Sequence, residues 1–243
     1  MRHADKSSLA KALLEKVMNS EIEIDQSDIL PYYVLDGGAL LHRVFWHTGT
    51  YMDIVQQYLT YVKTKYGICS IIFDGYQMPS TKDHEHSRRR AKTHLICPDV
   101  VLAESNVVRH TKQLFLSNNK NKQQLINLLA KYFTEEGHKI YQCDGDADTT
   151  IVDVALKCAL TKEAVAVVAE DTDILILLLY FWNKEMSNVS MRSEPRKGKE
   201  LKEFNIGQMA KKLNENIVKH VLFIHAWGGC DTTSAIFNQG KIK

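Results

Sequence analysis

The stretch that decides the fold is AVAVVAEDTDILILLLYFW, residues 164–182. Its first six residues, 164–169, are almost wholly apolar, which is how a strand buried on both faces reads. The run stops at Glu170, Asp171, Thr172 and Asp173, and a second apolar run, 174–182, follows. Carboxylates held against so apolar a strand end do not all stay ionised unless positive charge stands between them. A divalent cation is the usual solution, because hard cations take carboxylate oxygens. The expectation is that the rest of the chain delivers further acids to this point.

Two stretches upstream repeat the pattern. YYVLD, residues 32–36, reads as a strand ending in Asp36, with Gly37 and Gly38 turning the backbone into a helix over 39–46. A helix over 52–66 stops at Gly67, and ICSIIF, 68–73, is a second buried strand that runs into Asp74-Gly75. One aspartate at a strand end is a helix cap as readily as a ligand. Acids at the ends of successive strands are a different signal, since ligands of open parallel sheets sit outside the carboxyl ends of the strands.

Between 120 and 133 the apolar spacing predicts a helix, and 138–143 a third short strand. That strand enters DGDADTTIVDVALK, which carries Asp144, Asp146, Asp148 and Asp153 within ten residues, with a helix starting at Asp146. Acids in a first helical turn are favoured by the dipole, which accounts for one or two of them and not for four. A calcium loop of the EF-hand type does not fit, for want of its spaced oxygen ligands and closing glutamate. Further on, 187–193 reads as an edge strand, EPRKGKELK (194–202) as a basic loop or nuclear-import patch, and 206–213 and 217–226 as helices. Trp227-Gly228-Gly229-Cys230-Asp231 sets one more acid on a glycine turn.

Basic residues follow the second acid closely. Lys82, Arg88, Arg89, Arg90 and Lys92 form a cluster that reads either as a solvated helix face or as a phosphate grip. His84 and His86 beside them read as surface residues. The segment 94–117, mixed apolar and basic, is expected to be a mobile arch or lid. NNKNKQQ, 118–124, is the one compositionally biased patch, and the first thirty residues read as an added helix built on Leu9, Leu13, Leu14 and Val17.

Composition narrows the class. The 243 residues are 44% hydrophobic and 25% charged, as in ordinary globular proteins, and a net charge of +2 names no partner. Five cysteines without a CxxC pair argue against a disulfide framework and a zinc knuckle, and for a reducing compartment. No apolar run has the length of a membrane span, and no signal-peptide core opens the sequence. The expected location is intracellular, nuclear ahead of cytoplasmic.

YVLDGG, IIFDG, DGDADT, AEDTDIL and GCDTTSAIFNQGK, in that order, resemble the PIN-like domain of the flap endonuclease superfamily of structure-specific 5′ nucleases. The likeness is nearest to uncharacterised animal proteins carrying that domain, and it spans 33–241. It implies an α/β fold with a central, mainly parallel sheet flanked by helices, as one domain over 1–243. Residues 1–30 would be an extension, and 232–243 the start of a helix-two-turn-helix. It also implies two magnesium ions, replaceable by manganese, held by Asp36, Asp74, Asp146, Asp148, Asp171, Asp173 and Asp231. Two such ions roughly 4 Å apart clamp a phosphodiester and stabilise the departing oxygen. By the same resemblance Lys82 and Arg88 contact the scissile phosphate, and His42, Arg43, Arg89, Arg90 and Lys241 contact nucleic acid. The partner implied is DNA or RNA with a single-stranded or branched part, and no membrane.

Several positions depart from the family pattern. His42 stands where a base-stacking aromatic is usual, aspartates replace a glutamate pair at 146 and 148, and only the opening of the duplex-gripping tail is present. A non-catalytic scaffold that binds nucleic acid or protein is therefore the second reading. A glycosyltransferase, which would use the DxD of AEDTDIL, is the third; it leaves the other acids without a role.

Overall fold

The computed structural model describes residues 30–75, 97–162, 164–194 and 202–227. Lys82, His84, His86, Arg88, Arg89, Arg90, Asp231, Lys241, the extension 1–29 and the tail 228–243 lie outside the described residues, as does nearly all of the basic loop. The fold is α/β. A six-stranded sheet runs in the order β3-β2-β1-β4-β5-β6, with β1 at Tyr32–Asp36, β2 at Ser70–Phe73, β3 at Lys139–Gln142, β4 at Ala164–Val168, β5 at Asn188–Ser193 and β6 at Lys202–Asn205. β2 pairs parallel with β3 and β4 parallel with β5, while β5 and β6 are antiparallel. The helices among the described residues are α1 (Gly37–Arg43), α2 (Tyr51–Tyr66), α3 (Lys112–Leu116), α4 (Asn119–Glu135), α5 (Asp148–Ala159), α6 (Thr172–Phe181), α7 (Ile206–Lys212) and α8 (Glu215–Trp227). The chain divides into two compact units, Leu35–Ala147 and the remainder.

In the unit 35–147, β2 is buried along its whole length, as its unbroken SIIF run requires. Tyr51, Tyr58, Phe73, Phe115, Phe133, Leu125 and Ile126 form a fully buried core. Tyr58 is amphipathic and fully satisfied: its hydroxyl donates to the Leu41 carbonyl at 2.7 Å and accepts from Trp46 Nε1 at 3.0 Å. Burial pushes its phenol well above the ordinary value. Gly67 ends α2 at φ +59°, which a side chain rarely adopts. Its opposite end is closed by a capping box between Thr50 and Asp53.

The segment expected to be a mobile lid is, over 97–117, stitched down. Val100 N donates to Asn121 Oδ1 at 2.8 Å, and Asn121 Nδ2 donates to the Pro98 carbonyl at 2.9 Å. Gln124 Nε2 reaches the Val100 carbonyl at 2.9 Å, and Asn118 Nδ2 the Cys97 carbonyl at 3.0 Å. Farther along, Tyr51 N and Met52 N donate to the Asn106 and Glu104 carbonyls, each at 3.0 Å. The biased patch 118–124 thus supplies side-chain amides to a segment with little secondary structure of its own, whose backbone groups need partners.

In the other unit, β4 and β5 are lined by Val165, Ala166, Val167, Val189 and Met191, all buried. α5 and α7 pack on these strands, and α6 packs against α5, α7 and α8. β5, expected at an edge, is an inner strand: β6 pairs with its far side, Met191 opposite Phe204. KEFN is too short to show alternation, so the pairing comes from the return of the chain rather than from a readable pattern. The helix expected from Asp146 begins at Asp148, because the Gly145 carbonyl ahead of it is taken by Gly75 N at 2.9 Å, from the loop after β2.

Asn121 is fully buried and holds two backbone groups of the strap. Asn121→Ala removes both bonds from a buried amide and is expected to cost about 2 kcal/mol. A chemical denaturation midpoint shifted down, with faster proteolysis within 97–108, is the result that checks it.

Candidate metal centre

Two groups of acids are built from the described residues, one in each unit. In the unit 35–147, Asp36 closes β1 and is the N-cap of α1, where Oδ1 accepts from Ala39 N at 3.1 Å. The same oxygen lies 3.2 Å from the point a Cβ on Gly38 would occupy, and Asp74 Oδ2 lies 3.2 Å from that point too. Asp74 follows β2, and its other oxygen accepts from Ala147 N at 2.9 Å. The glycine therefore lets two carboxylates approach its backbone, and a side chain there would stand in tight contact with both. Gly37 and Gly75 are required by close packing: a side chain at 37 would run into Phe73, and one at 75 into the Cys143 carbonyl. Asp146 is exposed on the turn before α5. His42 is exposed and Arg43 half-buried at the end of α1. The carbonyls of His42 and Val44 accept from Lys112 Nζ at 2.7 and 2.8 Å, a cation closing a helix C-terminus. Burial lowers the Lys112 pKa.

In the other unit, Asp148, Asp171 and Asp173 each offer one oxygen, and the three oxygens lie within 4.8 Å of one another. All three side chains are half-buried. Asp148 stands in the first turn of α5. Asp171 is the N-cap of α6, with Oδ1 accepting from Asp173 N at 3.0 Å. Asp173 lies in the first turn of α6, and its Oδ1 is 2.9 Å from His225 Nε2. A cap residue and a first-turn acid suit the positive end of α6. The abrupt passage from β4 to α6 has a local cause: the D-T-D motif caps a helix at once, and the apolar run that follows forms that helix.

The donor set fits a hard divalent cation: carboxylate oxygens, close together, without thiolate or imidazole among them. His225 is the residue sequence reasoning missed. It sits on α8, one turn past buried Val221, and the spacing of those two on one helical face was the available signal. Asp153, one of the four acids of 144–153, pairs instead with Lys157 at 2.7 Å on the exposed side of α5.

No family model and no curated protein matches the sequence. Among solved structures the chain is similar to the catalytic core of Rad2 in complex with DNA substrate (complex III), at 15% identity and a TM-score of 0.48. The match covers 87% of this chain and 60% of that one, so the chain spans about three fifths of the length of the structure it matches. No residue's role follows from that likeness.

Gly38→Ala puts a methyl between the Asp36 and Asp74 carboxylates at a helical position that favours alanine. The expected outcome is a melting temperature close to the wild-type value, the helical preference for alanine offsetting the tight contact, together with a loss of manganese uptake, by about tenfold in affinity if one ligand position is blocked. Calorimetric titration beside a thermal melt measures both.

Proposed function

We propose that the chain is a metal-dependent nuclease that hydrolyses phosphodiester bonds of DNA or RNA. The proposed substrate carries a single-stranded or branched part, as for a structure-specific 5′ nuclease. The observation that carries the reading is the convergence of Asp148, Asp171 and Asp173 within 4.8 Å at the start of two helices. Three half-buried carboxylates that close repel one another, and a cation held between them would relieve that repulsion. The proposed ligand set is Asp36, Asp74, Asp146, Asp148, Asp171, Asp173 and Asp231, for two magnesium or manganese ions. Bound there, the ions would supply Lewis-acid polarisation of the phosphoryl oxygens.

The chain's own residues do the rest in this scheme. The caps at Asp36 and Asp171 fix two ligands in one rotamer each, so little reorganisation accompanies binding. Lys82 and Arg88 are assigned to charge on the transferred phosphate. His42, Arg43, Arg89, Arg90 and Lys241 are assigned to the nucleic-acid backbone. Among the described residues no helix is long and apolar enough to cross a membrane. Among the described residues Cys69, Cys97, Cys143 and Cys158 form no disulfide, which suits the reducing, nuclear location proposed.

Asp171→Asn is the decisive variant, because asparagine caps a helix as well as aspartate and removes only the charge. Wild-type protein with magnesium or manganese is expected to cut labelled single-stranded or branched DNA or RNA. Without metal, Asp171→Asn should melt at or above the wild-type temperature, because it keeps the cap and relieves like-charge repulsion, and with metal it should cut slower by a factor on the order of 10² or more. Wild-type activity no higher than the variant's on every substrate would reject catalysis. A non-catalytic scaffold would then be the better description, the more so if neither protein takes up manganese.

A further inference from the structure

We propose that His225 is a positioning residue for the ion: its ring N–H holds Asp173 as a one-oxygen ligand and so favours a small octahedral cation over calcium. The inference rests on the nuclease reading of Asp173 as a ligand, and goes beyond it in naming the residue that sets that ligand's geometry.

The placement is specific. α8 turns Val221 and His225 inward, 0% and 7% exposed, while Phe223 and Trp227 are 62% and 49% exposed on its outer side. α8 packs on α6, whose first turn bears Asp173. His225 Nε2 meets Asp173 Oδ1 at 2.9 Å, with only 8% of the imidazole and 17% of the carboxylate side chain exposed. An ionised carboxylate only accepts, so Nε2 carries the hydrogen. The imidazole is thus not offered as a ligand; it stands behind one.

The consequence follows from counting oxygens. Asp171 Oδ1 is turned to Asp173 N and Asp173 Oδ1 to His225 Nε2. A carboxylate with one oxygen held by a donor binds end-on through the other more readily than it spreads both onto one ion. Calcium takes six to eight oxygens and uses bidentate carboxylates, whereas magnesium demands near-octahedral single contacts. Partners that orient ligands in this way typically matter by 10- to 100-fold in metal affinity.

The test is binding, not cleavage. Manganese and calcium are titrated calorimetrically into the wild type, His225→Leu, which fills the space without a donor, and His225→Gln, whose amide restores an N–H near the Nε2 position. The expected result is a loss of manganese affinity of about tenfold in His225→Leu, a smaller loss for calcium, and recovery of the manganese preference in His225→Gln. Should leucine unfold α8, seen as a lost thermal transition, His225→Asn, too short to reach Asp173, takes its place with the same expectation. Unchanged manganese affinity without the donor, or equal losses for both ions in all variants, overturns the assignment while leaving the nuclease reading intact. A wild type that takes up no manganese ends that reading and this inference together.

Discussion

The constraint on which the second unit depends is the crowding of like charge at the start of α6. Three carboxylate oxygens come within 4.8 Å of one another. At about that separation and an effective dielectric near 20, each charged pair repels by about 3 kcal/mol. Among the described residues, the dipole of α6, the Asp173 amide from which Asp171 accepts, and the His225 imidazole offset part of this. The apolar anchor is therefore essential. Ile174, Leu175, Ile176, Leu178 and Leu179 are fixed in the core directly after the acids, so the helix start cannot drift away from Asp148. Burial of the helix supports the electrostatic cost at its tip.

Capping and ligation use the same chemistry, a carboxylate oxygen presented where a strand becomes a helix. Asp36 and Asp171 both do this, each as an N-cap on an extended residue. The structural role does not compete with the proposed one. A capped aspartate has one oxygen on a backbone N–H and a rotamer already chosen, which is what a preorganised ligand needs. The glycines complete the arrangement from the other side: Gly38 lets the Asp36 and Asp74 carboxylates approach its backbone, and Gly37 lets the helix lie against Phe73.

The strap 97–117 shows how far composition misleads about mobility. Its sequence mixes apolar and basic residues without a period, which reads as loose. What holds it lies elsewhere in the chain: Asn118, the N-cap of α4, Asn121 and Gln124 on that helix, and the amides at the start of α2. Side-chain amides that look like a low-complexity run become, on a helix, donors and acceptors one turn apart. α3 then follows with Phe115 and Leu116 buried, a second anchor for the same segment.

Local sequence was sufficient for the α/β class, for the buried strands ending near Asp36, Asp74 and Asp171, and for the helices between them. Those features depend on apolar runs, glycine stops and capping acids, all set within a few residues of one another. The inner position of β5 was not legible, because KEFN is too short for a period and its partner lies across a loop. Nor was the role of His225, which sits fifty-two residues from Asp173 and meets it only because α8 packs on α6. The start of α5 at Asp148 rather than Asp146 was decided by the bond from Gly75 to the Gly145 carbonyl, across seventy residues of chain. Neighbours in sequence determine where a strand or helix can begin; which carboxylate faces which donor is decided by packing between distant segments, and only the tertiary structure carries it.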